Sequence, residues 1–302
     1  MPGRIRAISW SQILSPVAAS NTTQSPLRQS RLPRSCLSAN LTPADPAQPG
    51  ERLSSNSPPK ADLFVTCIID QLYPQVGVSV VRVLRRLGVD VSFQEDQTCC
   101  GQPLYNAGYS KKARTLARRV LDTFKDSEYV VVPSVSCAAM MRVFYLDLFR
   151  DDPKMLKQAE LLSSKVYEFS QFLTSVLGVE DTGSTYSGTA TYHPSCHLLR
   201  EMEVRDEPET LLRSVSGLEL TDLPGAETCC GFGGAFSIKF PHISEGMLAD
   251  KVENVVSTGA DTLVSCDMGC LMQIGGGLSR QDSDIKVRHL AQVLDQDHSS
   301  NS

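Results

Sequence analysis

No apolar run in this 302-residue sequence approaches the ~18 residues that would suggest a membrane span. The valine-rich stretch near 76–84 is interrupted by Arg82 and closed by Arg85 and Arg86. The first 60 residues lack the apolar segment of a secretory signal, and no acidic residue stands before Asp45. Excess positive charge is missing too: the net charge is -5, which gives no reason to expect nucleic acid or an anionic membrane as partner. A nucleotide fingerprint is also absent, since Gly231-x-Gly233-Gly234 does not have G-x-G-x-x-G spacing and sits among cysteines.

What the chain does have is cysteine, ten in all. Without a secretory segment, ligation in a reduced compartment is favoured over a disulfide framework. The cysteines fall in a repeat. Thr98-Cys99-Cys100-Gly101 is echoed by Thr228-Cys229-Cys230-Gly231. Cys67 and Cys196 precede the two pairs at nearly equal distances, and Cys137 and Cys270 follow them. The period is about 130 residues, too long for a solenoid and right for a duplicated domain.

The expected organisation is a tail over 1–60, a first domain over 61–180, a second over 181–296 and a short tail over 297–302. The first segment is Arg-rich, Ser-rich and poor in acids, as a disordered tail or an organelle transit peptide would be. Cys36 lies there and is assigned no role. In the first domain, strands are predicted at 63–66, 89–93 and 129–133. Helices are predicted from Val76 to Leu87, from Lys111 to Phe124 with Ser110 as cap, and from Ala138 to Phe149, with further helix to Leu177. In the second, strands are predicted at 189–192, 218–220 and 262–264, with helices near 207–215 and 244–257. The segments 166–173 and 287–294 resemble each other and are read as matching helix ends. Strands alternating with helices predict an α/β fold of two tandem duplicated domains, each a small parallel sheet with flanking helices carrying a Cys-Cys-Gly motif. Ligands of such sheets gather at the carboxyl ends of strands, where Cys67, Cys137, Cys196 and Cys266 are predicted to fall.

Three chemistries compete for these thiols. Iron–sulfur clusters are held by thiolates, and glycines beside the ligands let N–H groups approach the sulfurs. Gly231, Gly233 and Gly234 adjoin one pair, and Gly269 and Gly275 to Gly277 flank Cys270. Structural zinc prefers close pairs of ligands; Cys266 and Cys270 would supply one, while the first half has none. A redox dithiol or nucleophile would draw on His193 and His197 beside Cys196, although one nucleophile needs no second copy. The second half carries five cysteines (Cys196, Cys229, Cys230, Cys266, Cys270) and the first carries four (Cys67, Cys99, Cys100, Cys137), with Pro133 opposite Cys266. The second half is therefore expected to hold its metal more firmly, with zinc an alternative in the first.

The strings Leu63-Phe-Val-Thr-Cys67, Thr98-Cys-Cys-Gly-Gln-Pro103, Cys229-Cys-Gly-Phe-Gly-Gly234 and Cys270-Leu-Met resemble the cysteine-rich, two-CCG-domain family. That family includes the cysteine-rich component of heterodisulfide reductase, the glycolate oxidase iron–sulfur subunit and lactate utilization protein A. The resemblance covers about 61–296, and the strings look like those of lactate utilization protein A in particular. It implies one or two [4Fe–4S]-type clusters on the nine cysteines just named. It also implies a cytosolic part in oxidising L-lactate to pyruvate, with lactate utilization proteins B and C as partners. A small 2-hydroxy acid substrate would need a cation and a base, for which His193, His197 and Arg200 are the candidates near the motifs. Glycolate or a disulfide is the alternative substrate class, and a zinc-stabilised assembly protein the alternative without redox chemistry. The chain alone is expected to be a component and not a complete enzyme.

Overall fold

The computed structural model describes residues 58–296. It contains two four-stranded sheets of the same topology, ordered β2-β1-β3-β4 and β6-β5-β7-β8, with every pairing parallel. The first comprises β1 (Lys60–Leu63), β2 (Asp90–Phe93), β3 (Tyr129–Val132) and β4 (Val166–Glu168). The second comprises β5 (Thr185–Tyr192), β6 (Ser216–Thr221), β7 (Thr262–Ser265) and β8 (Lys286–His289). The registers repeat: Ala61 lies between Val91 and Tyr129 as Ala190 lies between Leu220 and Thr262.

Local sequence explains the elements. The helix Pro74–Arg86 begins on a proline, which has no N–H to waste in the first turn, and ends on Arg85 and Arg86, which suit the negative end of the helix dipole. Its Val76, Val80, Val83 and Leu84 recur at helical spacing and are buried. Of the central strands, β3 (Tyr-Val-Val-Val) is the apolar run expected where helices cover both faces of a parallel sheet, and β7 (Thr-Leu-Val-Ser) is buried along its whole length with polar residues at its ends.

Several boundaries differ from the sequence reading. The first strand is Lys60–Leu63, three residues earlier than predicted, and Phe64 to Thr66 form the loop that leads to Cys67. Ser110 is the first residue of the helix Ser110–Thr123 and not its cap, which is Tyr109. The segments 166–173 and 287–294 do match, but each is a short edge strand, β4 or β8, running straight into a helix at Phe169 or Leu290. Three or four strand residues joined to a helical turn give a mixed apolar pattern in which the helical part dominates.

Those two segments also join the halves. The helix Leu290–Leu294 packs on Pro74–Arg86 of the first half, and Phe169–Gln171 packs on Glu207–Arg213 of the second. Ser79 Oγ donates to Asp295 Oδ2 at 3.0 Å, and Arg86 donates to Ser184 Oγ at 3.1 Å and to the Leu294 carbonyl. The exchange is reciprocal, and one hydrophobic core runs through both halves. No helix among the described residues is long and apolar enough to cross a membrane.

Candidate metal centre

In each half the cysteines follow the carboxyl ends of the first three strands. Cys67 and Cys196 each open a short helix after β1 and β5. The pairs Cys99-Cys100 and Cys229-Cys230 lie in the loops after β2 and β6. Cys137 lies in the helix Val135–Ala139 after β3, and Cys270 in Met268–Arg280 after β7. All strands of a sheet run the same way, so the four thiols of one half share one edge. The two edges face each other across a cavity enclosing about 180 Å³, lined by Cys67, Cys99, Cys100 and Cys137 on one side and Cys196, Cys229, Cys230 and Cys270 on the other.

The thiols crowd to hydrogen-bond distance. Cys100 Sγ lies 3.2 Å from Cys137 Sγ. Hydrogen bonds from Cys100 and Cys67 hold the Cys99 thiol down to about 3, and bonds from Cys196 and Cys230 hold Cys229 down to about 2. Their donors shift the other way: Cys67 is pushed up by its bond to Cys99, Cys100 by its bond to Cys137, and Cys196 and Cys230 by theirs to Cys229. In each half one thiol of the adjacent pair is thus held low by donors that are themselves held high. Ionising all four would gather like charges in a partly dry site, which requires a cation among them. Gly101 N–H donates to Cys99 Sγ at 3.5 Å and Gly231 N–H to Cys229 Sγ at 3.4 Å. All-sulfur donor sets with backbone N–H groups aimed at the sulfurs fit an iron–sulfur cluster or zinc. When bound, a cluster there would supply one-electron redox chemistry.

The left-handed backbone after each pair explains its glycine. Gly101 has φ +88° and Gly231 has φ +83°. A Cβ on Gly231 would also lie 2.6 Å from the Ser244 carbonyl oxygen. Gly275 and Gly277 serve packing and not the thiols: a Cβ on Gly275 would meet Val287, and one on Gly277 would meet Val252 and Leu248.

Cys266 stands apart from the other eight. It is fully buried, its sulfur lies 3.6 Å from the Tyr192 hydroxyl, and Glu168 and Ser170 bear on it from behind. It follows β7 directly and is not among the residues that line the cavity, as Cys270 is. Without it the halves are equal, four thiols each, which removes the fifth-cysteine ground for expecting firmer binding in the second half.

The three candidate substrate contacts do not converge. His197 lines the shared cavity, with Nε2 3.1 Å from Gln102 Nε2 and Nδ1 3.7 Å from Cys196 Sγ. Arg200 is exposed and lines an adjoining hollow with Asp250, Glu253 and Cys229, the last of which also lines the shared cavity. His193 is 1% exposed and outside the cavity lining; burial holds its imidazole neutral, down to about 3. One of its ring nitrogens lies within 4.8 Å of Cys230 Sγ and Cys270 Sγ, so His193 belongs behind the thiols.

Two residues escaped the sequence reading. Asp267 caps the helix carrying Cys270, Oδ1 accepting from Gly269 N at 2.8 Å, while Oδ2 reaches the first half. An acid just before a helix was its signal. Lys251 is fully buried between Leu248 and Val252, and its signal was a lysine on the apolar stripe of Pro241–Ser257.

Known proteins share this arrangement of sequence. The cysteine-rich CCG domain family matches residues 61–142 and again 190–275. Lactate utilization protein A of Bacillus subtilis (strain 168) is 52% identical over 235 residues, 78% of this chain and 98% of that protein. Its counterpart in Shouchella clausii (strain KSM-K16) is 51% identical over 232 residues, 77% and 97% of the respective chains. Among solved structures, glutamate racemase isoform RacE1 from Bacillus anthracis covers 79% of each chain at 11% identity and a TM-score of 0.29, too slight a likeness to bear on the fold.

Proposed function

The chain belongs to the family of CCG cysteine-rich proteins that includes lactate utilization protein A, and from that premise we propose that it is the iron–sulfur subunit of a system oxidising L-lactate to pyruvate. The observation that carries this reading is the meeting of eight thiols, four from each half, around one cavity. Cys67, Cys99, Cys100 and Cys137 would hold one [4Fe–4S]-type cluster, and Cys196, Cys229, Cys230 and Cys270 another.

Converting a 2-hydroxy acid to a 2-keto acid releases two electrons and two protons, and one-electron carriers suit such a transfer when two stand close together. The residues of this chain would hold the carriers, exclude water with the buried faces of β3 and β7, and direct N–H groups at Cys99 and Cys229. His197 is the polar side chain best placed to meet a small acid in the cavity. Arg200 lines the adjoining hollow that shares Cys229 and not the cavity itself, so a carboxylate-binding cation inside the cavity would come from a partner protein. Lactate utilization proteins B and C are the proposed partners, and the cytosol the proposed compartment.

The test is lactate-dependent reduction of this subunit in the presence of both companions, with glycolate as competitor. Reduction by lactate and not by glycolate supports the reading. Reduction by glycolate alone transfers the subunit to another 2-hydroxy acid, and a colourless, zinc-loaded chain removes it from redox chemistry.

A further inference from the structure

The two thiol groups share a scaffold but not their surroundings. Matching registers place Phe64 opposite His193: Phe64 N–H donates to the Val131 carbonyl as His193 N–H donates to the Val264 carbonyl. The helices that close the two sites align as well. Gly101 faces Ala113 and Leu116, while Gly231 faces Ser244 and Met247, which sets Val120 opposite Lys251. All four side chains are buried. Behind the first group, then, the chain has a phenyl ring and an isopropyl group. Behind the second it has an imidazole and an ammonium.

Lys251 Nζ donates to the carbonyls of Gly225 and Ala226, at 2.6 and 3.2 Å, in the loop that leads to Cys229. These bonds fix the ammonium where its field acts on Cys230, Cys270 and Cys229, in that order. Neither His193 ring nitrogen makes a hydrogen bond of good geometry; the Ala226 backbone bears on the ring weakly, and one ring nitrogen stands near Cys230 Sγ and Cys270 Sγ. A neutral imidazole has one N–H to donate, and the sulfurs are acceptors within reach. The first group has Asp70 and Glu95 beside Cys67 and Cys99. What bears most on Cys99 and Cys100 is hydrogen bonding with neighbouring thiols. Four acids oppose the trend, and two of them, Asp250 and Glu253, line a hollow beside Cys229 together with Arg200. Glu201 bears on Cys196 from the half-buried rim. Asp267 lies between the halves, with hydrogen bonds to both, and so acts on the two groups together.

We propose that Lys251 and His193 are positioning residues that make the second thiol group the electron-accepting member of the pair. Hydrogen bonds to sulfur and net local charge set cluster potentials, and a buried cation lowers the energy of added negative charge in a medium that screens it poorly. An electron shared between the two sites leaves the first oxidised by one and the second reduced by one, so the distribution shifts with no net chemistry. This rests on the cluster reading above.

The experiment is an anaerobic redox titration of the full chain followed by electron paramagnetic resonance, after iron and sulfide content has been measured. A Cys100→Ala variant removes the first cluster and assigns the remaining signal to the second. The second site is expected at the higher potential. Lys251→Met is expected to shift the electron distribution toward the first site at least tenfold, about 59 mV for a one-electron couple. His193→Phe should move it the same way by less, and Lys251→Arg, which keeps the charge, should restore it; the first-site potential is the internal control. Two clusters of equal potential, or an unmoved second-site potential in Lys251→Met, would overturn the proposal alone. A chain without two clusters contradicts the reading beneath it, and the iron content reveals that before any potential is measured.

Discussion

Asp267 of the second half accepts a hydrogen bond from Ser134 of the first, Oγ to Oδ2 at 3.1 Å, and the same oxygen accepts Ser136 N–H at 2.9 Å. Ser134 is the counterpart of Asp267 in the repeat: it precedes the helix that carries Cys137, as Asp267 precedes the helix that carries Cys270. One carboxylate therefore caps its own helix, reaches the start of the other and ties the two thiol groups together.

Asp267→Ala should cost about 2 to 4 kcal/mol, because it removes a helix cap and leaves buried N–H donors without an acceptor. Urea unfolding of the full chain measures this. A loss below about 0.5 kcal/mol would mean that the bridge contributes nothing net.

Cys266→Ala should leave the iron content unchanged, whereas Cys100→Ala should remove the iron of one site. Cys266 faces Tyr192 and not the cavity. Equal iron loss in both variants would return Cys266 to the ligand set.

Gly231→Ala should be more damaging than Gly101→Ala. Both carry left-handed backbone, worth about 1 to 2 kcal/mol against alanine. Only at Gly231 does the added carbon also strike a carbonyl, at 2.6 Å against 3.5 Å for Gly101. That overpacking adds about 1 to 3 kcal/mol. Equal stabilities in denaturant would contradict the difference.

Glu168 is fully buried, and desolvation pushes its carboxyl up to about 7, against the stabilising bonds from Ser170 and Gln171. Below the unfolded value near 4.5 the group is neutral in both states. As pH rises toward 7 the unfolded chain ionises first, so stability falls through that window, by roughly 3 kcal/mol for a shift of this size. Glu168→Gln keeps an acceptor for the same donors and should lose that slope. Its stability relative to the parent should improve between pH 4.5 and pH 7.5, read by urea unfolding at each pH. A constant difference across that range would contradict the burial of a protonated carboxyl.

The duplicated fold was legible because cysteine spacing and strand order recur together, and the ends of parallel strands are where loops can converge. β4 and β8 were not legible: each is too short to show alternation and runs into a helix within one residue. The thiols were legible as a set but not as two sets of four. Whether Cys266 joins Cys270 depends on which way one side chain leaves the loop after β7, and spacing carries no such information. Local pattern was equally silent on the pairing of the halves. The contacts of Asp267 with Ser134 and of Gln102 with His197 join residues 133 and 95 positions apart.

The most direct test of the central claim is metal analysis of the anaerobically purified full chain, with iron, sulfide and zinc measured beside a visible spectrum. Two equal groups of four thiols predict a coloured protein with about eight irons and matching sulfide per chain, four for each group. A colourless chain that holds zinc and cannot be reconstituted with iron and sulfide would contradict it.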